Sequence, residues 1–185
     1  MKELSLNVLD IVQNSISAGA ENITVALHED DRGWLKLTIE DNGCGMSEET
    51  VRSVIDPFYT TRKTRKVGMG IPLLKMAAEQ TGGRFNIESI PESKDPENHG
   101  TVVTAEFDMK HMDFTPIGDM ISTICTIIQG HPDIDYLFEH TTPTHDVRLE
   151  TAQLREVLGD VSLAEYEIIC WIKEHLNEQY SELKK

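Results

Sequence analysis

The chain has 185 residues, of which 39% are hydrophobic and 26% charged, so it can bury a core and is not globally disordered. It holds 32 acidic and 17 basic residues, and the net charge of −15 argues against general binding to nucleic acid or to an anionic membrane. Its three cysteines are far apart, so neither a disulfide framework nor a structural zinc site is predicted. We find no signal-peptide pattern or membrane-spanning run, and we expect a cytoplasmic protein with no nucleic-acid or membrane partner.

Hydrophobic spacing over residues 1–108 predicts both helices and strands. Helical periodicity or an N-cap residue marks three helices, which cover 4–18, begin at Ser47, and cover 71–80. Alternation of hydrophobic residues marks four strands, at 23–27, 35–39, 85–90 and 101–107. Because helices and hairpins are segregated along the chain, we expect an α+β sandwich with the helices on one face of a mixed sheet.

A second part of the chain begins near residue 109. Hydrophobic residues over 117–128 predict an amphipathic helix that ends at Gly130, and two short strands and two further helices follow. We therefore divide the chain into residues 1–108 and a small α+β C-terminal extension, 109–185. The amphipathic helix belongs either to the core or to an association face, and we recognise no functional module in the extension.

Two histidines in the extension suggest a metal site. His140, His145 and Asp146 flank the sequence TTPT, which is typical of a hairpin turn. Surface residues beside a turn are the simpler interpretation than metal ligands, so we expect these side chains to be exposed.

A polar stripe runs along the otherwise apolar first helix. Asn7, Asp10, Asn14 and Ser17 are three or four residues apart, which places them on one helical face. A solvent-exposed face would show the same pattern and is the simpler interpretation of the stripe alone. The alternative is a stripe that faces a ligand cavity, where Asp10 and Asn14 hold a hydrated Mg²⁺ and orient a water.

The segment DNGCGM, residues 41–46, follows a predicted strand. Gly43 and Gly45 permit positive φ and allow the backbone to approach a flat ligand. Asp41 stands at the strand end as an acceptor suited to an exocyclic amine. An ordinary Asn-Gly turn has the same pattern, so the segment alone leaves both interpretations open.

The segment DPFYTTRKTRKVGMGIPLLK concentrates positive charge in an acidic chain. Four of the 17 basic residues fall within positions 62–66, and Gly68-Met69-Gly70 then leads into a helix. Backbone N–H groups at a helix N-terminus bind phosphate, and glycines let the phosphate come close. A charged surface loop followed by a helix cap is the alternative interpretation.

In their order and spacing, these segments resemble the ATP-binding fold of the GHKL superfamily, which includes gyrase-type ATPases, heat-shock chaperones, histidine kinases and MutL-type repair proteins. LDIVQNSISAGA resembles its N box, DNGCGM its first glycine box, DPFYTTRK its F box, GMGIPL its second glycine box and GTVVTAEF its last strand. The resemblance covers about residues 4–108. It implies a Bergerat-type sandwich with a mostly antiparallel sheet, ATP or ADP as ligand, and Mg²⁺ as cofactor.

The resemblance also implies a role for each matching residue. Asn14 corresponds to the asparagine that coordinates Mg²⁺, and Asp41 to the aspartate that accepts the adenine amino hydrogen. Thr101 corresponds to the threonine that supports this aspartate, and Asp10 stands where the catalytic base is found. The other implied ATP contacts are Gly43 and Gly45 beside adenine and sugar, Met46 below the base, Thr60, Thr61 and Lys63 in the lid, and Gly68, Met69, Gly70 and Ile71 at the phosphates.

Two departures from the family shape the functional prediction. Asp10 is one methylene shorter than the glutamate of gyrase-like and MutL-like members, so hydrolysis is slow or the base serves phosphotransfer. The N box begins near residue 4, which leaves no room for an upstream phospho-accepting histidine helix, so we expect no autonomous histidine kinase. The chain also resembles small stand-alone ATP-binding proteins encoded beside iron-hydrogenase genes in anaerobic bacteria.

The predicted function is therefore a Mg-ATP-binding regulatory protein, a slow ATPase or a kinase-like subunit that acts on or signals to a protein partner. A non-catalytic nucleotide-sensing module is the alternative, and an α+β domain without nucleotide is a third hypothesis. The partner is either another protein or a second copy bound through the C-terminal extension.

Overall fold

The computed structural model describes residues 3–56 and 69–182 of the chain. The helices are α1 (Leu4–Ser17), α2 (Glu48–Ile55), α3 (Gly70–Gln80), α4 (Met120–Gly130), α5 (Thr151–Leu158) and α6 (Tyr166–Glu182). The strands are β1 (Asn22–Glu29), β2 (Trp34–Asp41), β3 (Arg84–Ile90), β4 (Gly100–Asp108), β5 (Asp135–Thr141) and β6 (Asp146–Glu150). Among these helices, none is long and apolar enough to cross a membrane.

The strands form one six-stranded sheet in the order β3-β4-β2-β1-β5-β6. Every neighbouring pair is antiparallel except β1 and β5, which are parallel. Alternate residues are buried along each strand, as Leu35, Leu37 and Ile39 are in β2, and this buried face meets a layer formed by α1, α3, α4 and α6. The predicted α+β sandwich with a mostly antiparallel sheet is therefore confirmed.

Local signals in the sequence place the first helices correctly. Gly19, with φ of +76°, follows the end of α1 at the position predicted for a helix stop. Ser47 caps α2, since its hydroxyl accepts a hydrogen bond from the Thr50 N–H at 3.2 Å.

The strands of the C-terminal extension continue the same sheet. β5 pairs with all of β1 except its last residue, from Asn22 opposite Asp135 to His28 opposite Thr141. The segment before α4 also meets the start of α1, where the Ser5 N–H donates to the Ile117 carbonyl at 2.9 Å. Buried residues from both sides of residue 108 belong to one hydrophobic core. Whether the two parts behave as separate domains stays a prediction.

α4 begins later than the hydrophobic spacing predicts. The helix starts at Met120, and the Asp119 carboxylate caps it by accepting from the Ser122 N–H at 2.9 Å. Hydrogen bonds from the backbone and the side chain of Ser122 hold the pKa of Asp119 below its usual value. Ile117 therefore lies before the helix, because a capping carboxylate fixes the start more strongly than apolar periodicity does.

The expectation that His140 is exposed is wrong. Its side chain is buried, with Nδ1 2.8 Å from the Tyr180 hydroxyl and Nε2 2.9 Å from Glu29 Oε1. Burial, reinforced by the charge of Glu29, raises the pKa of Tyr180. These bonds join β1, β5 and α6, whereas Asp146 is exposed. Within residues 3–56 and 69–182, no group of three or more His, Cys, Asp or Glu side chains is placed to hold a metal ion.

We predict that the whole chain unfolds in one cooperative transition, because residues on both sides of residue 108 share a core. Trp34 lies in β2 and Trp171 in α6, so Trp34→Phe and Trp171→Phe each leave one fluorescent reporter. In either variant, fluorescence and circular dichroism should give the same urea midpoint. Adding Phe138→Ala in β5 to each variant should lower the free energy of unfolding by about 3–5 kcal/mol, whether Trp34 or Trp171 reports the transition.

Two separate transitions, with the Trp34 signal insensitive to Phe138→Ala, would contradict this prediction. That outcome would support two independently folding parts divided near residue 108.

Candidate functional site

The polar stripe of α1 begins in the interior of the protein. Asn7 is only 1% exposed, Asp10 and Asn14 are half-buried, and Ser17 is exposed. The Asn7 amide nitrogen lies 3.5 Å from the carbonyl oxygen of Gly70, where α3 begins. A solvated helix face would leave Asn7 exposed, so the first part of the stripe, at Asn7 and Asp10, instead lines an internal surface against α3.

The start of α3 comes very close to the Asp10 side chain. Gly70 is buried, and a Cβ at this position would lie 2.7 Å from the Cβ of Asp10. A glycine is therefore needed for the close approach of the two helices. The first N–H groups of a helix carry partial positive charge without intrahelical partners, so the start of α3 can bind an anion beside Asp10.

The Asp41 carboxylate is held from two sides at the end of β2. The Ser15 hydroxyl on α1 donates to Oδ2 at 2.5 Å, and the Gly43 N–H donates to Oδ1 at 2.9 Å. Each carboxylate oxygen has two lone pairs, so the half-buried group can still accept a hydrogen bond from a ligand. The arrangement provides a fixed acceptor at the predicted position.

Ser15 was not singled out from the sequence. It stands on the apolar face of α1, 3% exposed, among residues that pack into the core. A hydroxyl within an apolar helical stripe was the available signal, because a buried polar group requires a hydrogen-bond partner.

The glycines of the 41–46 segment are required by the protein itself. A Cβ on the buried Gly43 would lie 2.9 Å from the Ala18 Cβ and 3.0 Å from Asp41 Oδ1. Gly45 has φ of +66°, and a Cβ there would lie 2.0 Å from the Ile90 carbonyl oxygen. Gly43 therefore lets the turn pack against α1 and the Asp41 carboxylate, and Gly45 lets it pack against the end of β3.

Thr101 and Met46 are connected through Ser89, a second residue that the sequence motifs do not identify. The Ser89 hydroxyl accepts from the Met46 N–H at 2.8 Å and lies 2.8 Å from Thr101 Oγ1. Thr101 stands opposite Asp41 in the β2–β4 pairing. The hydroxyl of Thr101 thus contacts Ser89, and its support of Asp41 stays a prediction.

Four predicted residues and Ser15 lie where α1, the end of β2 and the start of α3 meet, which we call the α1–β2–α3 junction (Asp10, Asn14, Ser15, Asp41 and Gly70). Ser15 is five positions after Asp10 in α1, a rise of about 7.5 Å along the helix axis. The junction therefore presents a hydrogen-bond acceptor at one end and a helix N-terminus at the other. This spacing suits an elongated ligand with an amine-bearing ring and an anionic tail.

Two other predicted ATP contacts, Met69 and Ile71, flank Gly70 at the start of α3. Ile71 is buried in the core and Met69 is 59% exposed beside it. The other predicted contacts, Thr60, Thr61, Lys63 and Gly68, lie outside the described residues.

Curated relatives of the chain are sensor histidine kinases. The sensor histidine kinase ZraS of Klebsiella oxytoca is 34% identical over 86 residues, which are 45% of this chain and 18% of that protein. The tetrathionate sensor histidine kinase TtrS of Salmonella typhimurium is 33% identical over 99 residues, which are 53% of this chain and 16% of that protein. The chain thus spans less than a fifth of the length of these relatives.

Solved structures share the fold over a larger part of the chain. The Aquifex aeolicus MutL ATPase domain complexed with ADP gives a TM-score of 0.52 at 15% identity, covering 85% of this chain and 69% of that one. The N-terminal domain of a DNA repair protein gives a TM-score of 0.54 at 16% identity, covering 81% and 52%. These shares exceed that of residues 2–111, so the likeness in fold extends into the C-terminal extension.

Residues 2–111, more than half of the 185 residues, match the family described as histidine kinase-, DNA gyrase B- and HSP90-like ATPase. With the junction and the fold in agreement with this match, the chain belongs to that GHKL family and carries its ATP-binding domain.

Proposed function

We propose that the protein is a Mg-ATP-binding regulatory protein, a slow ATPase or kinase-like subunit that acts on or signals to a protein partner. The observation that carries the proposal is the Asp41 carboxylate, which the Ser15 hydroxyl and the Gly43 N–H hold against α1, the helix that also carries Asp10 and Asn14. Membership of the GHKL family supplies the ATP-binding domain. The MutL ATPase domain, which has a similar fold, was solved with ADP bound.

At the base end of the site, Asp41 would accept a hydrogen bond from the adenine amine. The two donors already bound to the carboxylate restrict its rotation, so a ligand amine meets an acceptor that is oriented in advance. Met46 is half-buried just after this turn and would pack against the base. The polar acceptor and the apolar side chain together suit a purine.

At the phosphate end, Asn14 and the start of α3 fit the remaining groups of Mg-ATP. Asn14 is half-buried, and among the described residues its side chain makes no hydrogen bond, so its amide oxygen is available to a ligand. Oxygen ligands of this kind suit Mg²⁺, which would neutralise phosphate charge when bound. The N–H groups at Gly70 would hold phosphate oxygens.

Asp10 is the side chain placed to move a proton. It lies one helical turn from Asn14 and against Gly70, where a terminal phosphate would be held. Its carboxylate would orient a water, or a hydroxyl of the partner, and accept its proton as the oxygen attacks the γ-phosphorus, the bond to the β,γ-bridging oxygen breaks and ADP leaves. The short side chain of Asp10 supports slow turnover.

The C-terminal helices supply a surface for a protein partner. Exposed apolar side chains lie on α5 (Val157), on α6 (Tyr166 and Trp171) and in the segment between them (Val161). Such side chains favour protein association, and a second copy of the chain is one candidate partner. Sedimentation velocity with and without ATP would reject a homodimer if the chain stays monomeric in both.

A non-catalytic nucleotide sensor is the second candidate function. The shorter Asp10, where gyrase-like and MutL-like members carry a glutamate, favours it, because a base set back from the phosphate can leave ATP bound without turnover.

We expect Asp41→Asn to weaken ATP binding by about 10- to 100-fold, because the substitution removes a charged acceptor from the adenine amine. Titration calorimetry with Mg-ATP measures the effect. Glu40→Gln is the matched control, because Glu40 carries the neighbouring carboxylate on the exposed face of β2. The Glu40→Gln variant should bind ATP with wild-type affinity. Unchanged affinity in Asp41→Asn would reject the assigned base site.

Asn14→Ala should remove most of the advantage that Mg²⁺ gives to ATP binding, because the variant lacks the proposed metal-binding oxygen. The measurement compares the ATP dissociation constant in Mg²⁺ with that in EDTA. Gln13→Ala, which truncates the adjacent exposed amide, should keep the wild-type ratio. A wild-type ratio in Asn14→Ala would exclude this residue from the metal site.

Asp10→Asn should lower phosphate release by about 100-fold or more while ATP affinity stays within about twofold, because the amide cannot accept a proton. A phosphate-release assay and calorimetry provide the two readouts. Asp31→Asn removes a carboxylate from the β1–β2 turn at the far end of the hairpin and should change neither. If the wild type releases no phosphate with or without a partner, the sensor function is favoured instead.

A further inference from the structure

The turn around Asp41 is held in place by a loop that belongs to none of the sequence motifs. This loop, residues 91–99, connects β3 to β4. The Glu92 N–H donates to the Cys44 carbonyl at 2.9 Å. At the other end of the loop, Nδ1 of His99 lies 2.6 Å from the carbonyl oxygen of Gly43.

The loop has internal bonds that fix the approach of His99. The Asp95 carboxylate accepts hydrogen bonds from the backbone N–H groups of Glu97 and Asn98, each at 3.1 Å. Gly100 follows His99 with φ of +142°, and a Cβ there would lie 2.0 Å from the Asp41 carbonyl oxygen. The backbone on both sides of the imidazole is therefore constrained.

The polarity of the His99 bond is unambiguous. A carbonyl oxygen only accepts, so Nδ1 carries the proton and donates to Gly43. Both the neutral tautomer protonated at Nδ1 and the charged imidazolium satisfy this requirement. The bond therefore persists in either charge state of the ring.

Gly43 passes this constraint on to the base acceptor. Its carbonyl receives the His99 bond, while its N–H donates to Asp41 Oδ1 at 2.9 Å. A shift of the Gly43 backbone would remove or redirect one of the two donors that orient the carboxylate. The imidazole thus acts on Asp41 through a single residue.

We propose that His99 is a positioning residue for nucleotide recognition, which fixes the Gly43 turn so that the Asp41 carboxylate meets the amine of an adenine base. The inference rests on the proposed function, because it assumes that Asp41 accepts a hydrogen bond from the adenine amine. Its effect should fall on the distinction between an amino and a carbonyl group at the purine 6-position. A residue that only stabilised the fold would change the binding of all nucleotides alike.

The test compares His99→Gln, His99→Asn and the control His28→Gln, with ATP and inosine triphosphate as probes. Inosine triphosphate replaces the adenine amine with a carbonyl. Asparagine can place an N–H close to the position of Nδ1, whereas glutamine reaches the position of Nε2. His28 is exposed in β1, away from the junction. Calorimetry in Mg²⁺ gives the ratio of the two dissociation constants for each protein.

We expect the wild type, His28→Gln and His99→Asn to prefer ATP by about tenfold or more, and His99→Gln to lose at least about fivefold of this preference. An unchanged ratio in His99→Gln would overturn the inference, as would an equal loss in His99→Asn. Circular dichroism shows whether each variant is folded. Melting temperatures of His99→Asn and His99→Gln within a few degrees of each other show that the two variants are equally stable and can be compared. A wild type that does not distinguish the two nucleotides contradicts the proposed role of Asp41 itself.

Discussion

A serine hydroxyl on α1 donates to the carboxylate at the end of β2, with 2.5 Å between Ser15 Oγ and Asp41 Oδ2. This bond links the helix that carries Asp10 and Asn14 to the strand that carries the acceptor. Because a helix is rigid, the link fixes the spacing between the two ends of the site at about 7.5 Å along the axis. The glycines at 43 and 70 allow the neighbouring backbone to pack closely enough to preserve it.

The C-terminal extension shares a core with the part of the chain that carries the site. α4 packs against α1, and β5 pairs with β1, the strand that leads into the hairpin ending at Asp41. A partner that bound α5 and α6 would therefore contact helices that pack on the same core as α1. This continuity gives a physical route by which nucleotide binding and partner binding could influence one another, since packed interiors transmit displacement.

Charge is distributed unevenly in a way that fits an anionic ligand. The chain has a net charge of −15, yet four of its 17 basic residues fall at positions 62–66 of the sequence, within the predicted lid segment. An acidic protein with a local basic segment repels anions in general and attracts them at one place. The positive end of α3, at Gly70, is a second feature that favours an anion.

The sequence by itself determined the local elements and the family. Periodicity marked α1 and the β1–β2 hairpin, Ser47 marked the start of α2, and the order of five motifs indicated the GHKL fold. Those features depend on neighbours within a few residues, or on motif order, and both are visible in a linear chain.

Only the tertiary structure decided which buried polar groups meet. Ser15 contacts Asp41, His99 contacts Gly43 and His140 contacts Glu29. These pairs are 26, 56 and 111 residues apart in the sequence. Hydrophobic periodicity predicts which face of an element is buried but not which partner lies against it. The order of strands in the sheet supplies that information, because strand pairing brings distant segments within hydrogen-bonding distance.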